Sequence, residues 1–179
     1  ILTSGIAIEG TAIIARESKS ALISAGLTKQ QISEAAEFLD SPGISVVKAA
    51  SIATSTGYVT AMHDPTEGGL AGALDEMARA SKKGIAVDAD RILIYPETKV
   101  ICTALDIDPW GLIASGALIV TCDPSGSQEI VDSLENNGIP ANIIGKITSS
   151  ENGLTRTSNG ITESLPVFER DEIARLYST

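Results

Sequence analysis

Between residues 58 and 80 the sequence changes its period without a gap. Residues 58–62 form a short apolar run of strand type, and residues 66–80 carry a long helical pattern. The two are joined by His63-Asp64-Pro65-Thr66-Glu67-Gly68-Gly69-Leu70. A strand that feeds straight into a long helix must bury one face of each against the other, so the chain is committed to helices laid on a sheet. The flanking pattern agrees. Residues 9–25 read as a helix, with Ile13, Ile14, Ala21 and Leu22 on one face and Gly26 just beyond its end. Thr28 and Gln31 have capping-box spacing at the start of a second helix that runs to Leu39. Ser41-Pro42-Gly43 stops it, and residues 45–56 form a third.

Past the long helix, the expected elements are a short strand at 85–87, a helix at 96–105, a buried strand at 117–121 and a helix at 127–136. Strands at 141–147 and 154–157 flank Asn152-Gly153, a hairpin signal, and a terminal helix covers 169–176. Residues 1–7 suit a first strand. A hairpin among alternating elements predicts a mixed sheet covered by helices rather than a pure parallel array.

Composition narrows the class. Of 179 residues, 43% are apolar but only 3% aromatic, so the core is built of Ile, Leu, Val and Ala. The length suits one domain with its own core. The net charge is −10, with the acidic residues dispersed, which argues against nucleic acid as a partner because no basic patch is present to replace phosphate counterions. No apolar run approaches the roughly 20 residues of a membrane span, and no basic leader precedes Ile1. The absent initiator Met suggests a processed chain or an excised piece of a longer one. Cys102 and Cys122 have no metal-ligand spacing and read as small core residues, which fits a cytoplasmic location.

The chemistry is concentrated at the 63–70 junction. Asp64 at N-cap, Pro65 at N1 and Glu67 at N3 would form an acidic helix start. That reading leaves Gly68 and Gly69 unexplained, since glycine inside a helix costs about 1 kcal/mol relative to Ala. Glycine is useful where a ligand or another backbone comes close, and both alternatives stand. A helix N-terminus offers free N–H groups to an anion, and Asp64 offers a carboxylate to Mg²⁺ beside phosphate. His63, the one histidine, reads as a structural residue, and Trp110 as a packing anchor beside Pro109.

The 63–70 string resembles the "HDPTRGGL" signature of the HypE hydrogenase expression/formation branch of the AIR synthase-related (PurM-like) superfamily. The segments Gly5 to Ala12, Gly84-Ile85, Ala104 to Pro109, Ala114 to Leu118 and Ile144 to Ile147 resemble the rest of its C-terminal domain, in order. The resemblance implies an α+β fold, a three-layer α/β sandwich, over residues 1–179, with the N-terminal nucleotide-binding domain absent from this chain. It implies that the parent protein is a homodimer that uses ATP and Mg²⁺, with this domain closing one side of the ATP and substrate cleft against its own N-terminal domain. Cofactor contacts are then expected at Asp64, Thr66, Gly68, Gly69, Ser115 and Gly116, and the metal at Asp64. HypE proteins dehydrate a carbamoyl group carried on a C-terminal cysteine; the substrate class here stays open between a small molecule and a protein tail. Two departures bear on this. The chain ends Arg175-Leu176-Tyr177-Ser178-Thr179, without a thiol, and Glu67 replaces the signature's Arg. They favour a related paralogue over HypE itself and keep two alternatives open: a phosphotransferase such as a thiamine-monophosphate-kinase-like or selenophosphate-synthetase-like enzyme, or a non-catalytic binding module on the same fold.

Overall fold

The computed structural model describes residues 1–178. Four short helices dominate the first third: α1 (Ile8–Glu17), α2 (Lys19–Ser24), α3 (Lys29–Ala36) and α4 (Val47–Ser55). The helix expected over 9–25 is two, broken at Ser18, whose backbone leaves the helical region at φ −111°, ψ 28°. The capping box at α3 forms as its spacing requires: Gln31 N–H donates to Thr28 Oγ1 at 3.2 Å, and Thr28 N–H donates to Gln31 Oε1 at 2.9 Å. Then follow β2 (Val59–His63), α5 (Gly69–Ser81), β3 (Gly84–Asp88), α6 (Pro96–Ala104), β4 (Leu118–Cys122) and α7 (Ser127–Glu135). The chain closes with β5 (Ala141–Asn142), β6 (Gly145–Thr148), β7 (Leu154–Ser158), β8 (Ile161–Ser164) and α8 (Glu172–Tyr177).

The strands form two four-stranded sheets where the sequence suggested one. With β1 (Leu2–Thr3), the first has the order β2-β4-β1-β5 and is antiparallel throughout; the second, β6-β3-β7-β8, is mixed, because β3 and β7 run parallel. The strand expected over 141–147 is cut at residue 143, and its halves join different sheets. Asn152-Gly153 does not close a hairpin, since β3 lies between β6 and β7. The hairpin is one strand later: Ser158 pairs with Ile161 around Asn159-Gly160, whose φ values of 50° and 77° are the positive pair that a two-residue hairpin loop requires.

Small aliphatic residues fill three main cores. α5 lays Leu70, Ala73 and Leu74 between the sheets, against Ile119 of the first and Ile85 and Val87 of the second. A helical cluster holds Ile14, Leu22, Ile32 and Ile101. α4 and α7 cover the other face of the first sheet through Ala53, Ile130 and Leu134 against Leu118 and Val120. Trp110 is buried in the first core, with the Arg156 guanidinium 5.3 Å from the ring centroid. Cys102 is buried, and burial first, then Asp108 and Glu172, push its thiol up to about 12, which makes it inert; Cys122 is half-buried. No helix is long and apolar enough to cross a membrane among the described residues.

Candidate functional site

Because β4 runs antiparallel to both β1 and β2, those two strands end at the same edge of the first sheet, where β4 begins. Three connections meet there: the turn from β1 into α1, the turn from β2 into α5, and residues 114–117 leading into β4. Backbone bonds tie them together. Ala114 N–H donates to the Thr66 carbonyl at 3.3 Å, and Gly10 N–H donates to the Ile113 carbonyl at 3.2 Å. Gly116 (φ 104°) lies close to the 43–44 turn: a Cβ there would stand 2.9 Å from the Gly43 oxygen and 3.3 Å from Ile8 Cδ1. Thr66, Ser115 and Gly116 therefore belong to one neighbourhood. Gly116 is buried, Ser115 half-buried and Thr66 exposed.

The β2–α5 turn differs from its expected form. α5 starts at Gly69, with Gly68 as its N-cap, so Asp64 lies five residues before the helix and cannot cap it, and Pro65 and Glu67 are not N1 and N3. The reason is the backbone of the glycines. Gly68 (φ 78°) and Gly69 (φ 63°) are both left-handed, which is incompatible with a helical turn begun at residue 65. Gly69 is where a side chain is forbidden: a Cβ would lie 2.5 Å from the Trp110 oxygen and 2.8 Å from the Leu112 oxygen. Its close approach is to another backbone. A methyl on Gly68 would meet only Gly72 Cα, at 3.6 Å, and the Gly68 N–H donates to Asp171 Oδ2 at 2.7 Å.

The polar side chains of the turn point to solvent. The Asp64 side chain is 61% exposed, and the histidine beside it brings Nδ1 to 3.9 Å. His63 itself is tied to α5, its Nε2 lying 2.8 Å from Glu76 Oε2. That pair keeps the end of β2 against the helix and leaves the Asp64 carboxylate outside. Among the described residues no cluster of three or more His, Cys, Asp or Glu side chains is placed to hold a metal. Asp64 is thus a single carboxylate, not part of a cage. His63 also borders a groove of about 940 Å³ between the sheets, lined by Met62, Leu74, Met77, Ile85 and Ile147. Sequence reasoning singles out neither this groove nor Asp171. An Asp just before Glu172-Ile173-Ala174 is a recognisable helix cap, but nothing local indicates that its second oxygen serves a residue 103 positions earlier.

Residues 1–156 match the family model described as AIR synthase related protein, C-terminal domain. The carbamoyl dehydratase HypE of Rhizobium leguminosarum bv. viciae is 29% identical over 115 residues, which cover 63% of this chain and 33% of that protein. The fold is that of E. coli HypE, a hydrogenase maturation protein, with a TM-score of 0.75 at 17% identity over 98% of this chain and 51% of the other. A structure of HypE in complex with ATP gives a TM-score of 0.66 at 19% identity, covering 96% of this chain and 51% of that one. The chain thus spans about half the length of these structures and a third of the Rhizobium relative. Most of the chain matches the family model, from Ile1 into the β7 strand, and the chain belongs to the AIR synthase-related family as a C-terminal domain.

Proposed function

We propose that this domain is the C-terminal half of a HypE-like, ATP-dependent protein, in which it closes one side of a nucleotide and substrate cleft whose other side is its own N-terminal domain. The observation that carries this reading is the contrast within one turn: Gly68 and Gly69 are locked to the body of the domain, while Asp64 and Thr66 stand exposed beside them. A rigid turn that presents a carboxylate and a hydroxyl at the C-terminal ends of β1 and β2 suits contact with a ligand held mainly by another domain. The match to the family and the ATP complex of a structural relative support nucleotide as that ligand.

The donor set fits Mg²⁺ in a limited way. Mg²⁺ keeps several waters and is bound through one or two carboxylates together with substrate phosphates, so Asp64 suffices as this domain's share. Bound ATP would supply a phosphoryl group for transfer. The residues of this chain would orient it: Thr66 through its hydroxyl, and Ser115 and Gly116 as the adjoining wall. Gly68 and Gly69 act through the backbone, by setting the turn. Glu67 is exposed in the same turn and adds a second negative charge where the HypE signature carries a cation. That favours a paralogue with its own substrate over carbamoyl dehydration. The test is Asp64→Asn in the full-length protein. The expected result is an unchanged melting temperature with nucleotide-dependent kcat/KM lowered about tenfold or more, the scale of a lost charge-assisted contact. Unchanged activity removes Asp64 from the site.

A further inference from the structure

Three backbone N–H groups at the start of α5, those of Gly68, Gly69 and Ala71, are matched inside the protein. Gly69 N–H donates to the Thr66 carbonyl at 3.1 Å and Ala71 N–H to the Trp110 carbonyl at 3.0 Å, while Gly68 N–H donates to the Asp171 carboxylate. Asp171 is buried, 8% exposed, and uses both oxygens: Oδ2 serves Gly68, and Oδ1 accepts Ile173 N–H at 2.8 Å as the cap of α8. One carboxylate therefore joins the starts of two helices far apart in sequence. Its own segment is well anchored. Glu172 N–H donates to the Gly111 carbonyl at 3.0 Å, and Glu172 Oε2 accepts Asp108 N–H at 3.2 Å. Arg175 pairs with Glu172 at 2.7 Å and donates to the Asp106 carbonyl. Burial pushes the Glu172 carboxyl up, but the bonds from Arg175 and Asp108 outweigh it and hold the group below the usual carboxylate range.

We propose that Asp171 is a positioning residue of the site described above. By drawing the Gly68 N–H inward it fixes the left-handed Gly68-Gly69 pair, and through that pair the outward setting of Asp64 and Thr66. The inference rests on the Asp64–Thr66 turn being the nucleotide-facing surface. Two features give Asp171 this role. The side chains at 64, 66 and 67 are exposed and do not anchor the turn, whose inner side is held by the buried Pro65, by the Thr66 carbonyl and, at Gly68, by the Asp171 carboxylate. Moreover, two N–H donors need two acceptor oxygens. A carboxylate has them, whereas an amide would turn its NH₂ on one of the donors.

The test uses the full-length protein with two variants. Asp171→Asn keeps the shape and loses one acceptor. Asp171→Ser keeps a competent cap for α8 but is too short to reach Gly68, so it serves where the first variant folds poorly. Hydrogen–deuterium exchange of the 66–72 segment and the KM for Mg-ATP are measured well below the melting temperature. The expected result is faster exchange at 66–72, with α4 and α7 unchanged, and a KM raised about tenfold, the factor a lost buried hydrogen bond commands. A purely structural role would lower only the folded fraction and leave KM alone. Unchanged exchange at 66–72 overturns the proposal, as does an unchanged KM in a protein whose KM does respond to Asp64→Asn. If Asp64→Asn also leaves nucleotide kinetics unchanged, the site assignment itself fails and the positioning role falls with it.

Discussion

Two strand-to-helix turns leave the same edge of the first sheet, one after β1 and one after β2, and they are built in opposite ways. The first is closed. Ile6, Ala7 and Ile8 are fully buried, and Thr11 Oγ1 donates to the Ala7 carbonyl at 2.7 Å and lies 2.8 Å from Thr98 Oγ1. A Cβ on Gly10 would stand 2.4 Å from Leu112 Cγ. Its left-handed residues are Ser4, at φ 57°, and Ala7, at φ 59°, a conformation that costs roughly 1–2 kcal/mol for a residue with a Cβ and that at Ala7 is held by the packing around it. The second turn is half open. Its left-handed residues are glycines, its inner side is bonded to distant backbone and to Asp171, and its outer side carries Asp64, Thr66 and Glu67 into solvent. With both turns leaving the same end of the sheet, the difference is that one turn is given over to packing while the other keeps free polar groups at its surface, as the proposed contact with a ligand requires.

Breaking the inner side of the open turn has the largest expected effect. Gly69→Ala places a methyl 2.5 Å from the Trp110 oxygen, at a positive φ. Left-handed strain and overpacking together should cost about 2–5 kcal/mol. Gly68→Ala meets nothing closer than 3.6 Å and should show only the conformational cost, roughly 1–2 kcal/mol. Denaturant titration of the two variants checks the contrast. Equal losses would mean that the 110–112 backbone yields freely and that Gly69 is not pinned by it.

The closed turn should respond at an intermediate level. Thr11→Val keeps the shape but removes the hydroxyl shared with Ala7 and Thr98, both fully buried, and leaves the Thr98 hydroxyl short of a partner. A loss of about 1–3 kcal/mol is expected. If the loss is below about 0.5 kcal/mol, buried hydroxyl pairing is not what holds this turn, and apolar packing alone must account for the strained Ala7.

What could be read in the sequence depended on how local the signal was. The Thr28–Gln31 capping box lies within three residues and was legible outright. Gly68-Gly69 was legible as an anomaly, but what Gly69 approaches, the 110–112 backbone, belongs to the tertiary fold. The pairs Asn152-Gly153 and Asn159-Gly160 have the same residue types. Only the pairing of β3 with both β6 and β7 denies a hairpin to the first and leaves it to the second, and with it β8, which has no strong signal of its own in the sequence. The helix start is displaced by four residues, from 65 to 69, because Asp-Pro-Thr-Glu satisfies local capping rules that two left-handed glycines override. Asp171 was beyond reach, since its second partner lies 103 residues away.

The smallest expected effect sharpens the comparison most. Had Asp64 been the cap of α5, Asp64→Ala would cost about 1 kcal/mol of stability. In this structure Asp64 is four residues short of the N-cap at Gly68, and its side chain is mostly exposed. Asp64→Ala should therefore change stability by less than about 0.5 kcal/mol, the range of surface positions outside special features. Thr28→Ala is the internal control. Thr28 is a cap whose side chain accepts the Gln31 N–H, and its loss should show the full cost of about 1 kcal/mol. Urea denaturation of both variants beside the parent chain decides the matter. If the two lose equal stability, Asp64 bonds the backbone after all, and its carboxylate is not free for a ligand. If only Thr28→Ala is destabilised, the Asp64 charge stands exposed without serving the fold, and any effect of Asp64 variants on nucleotide kinetics can be assigned to the site alone.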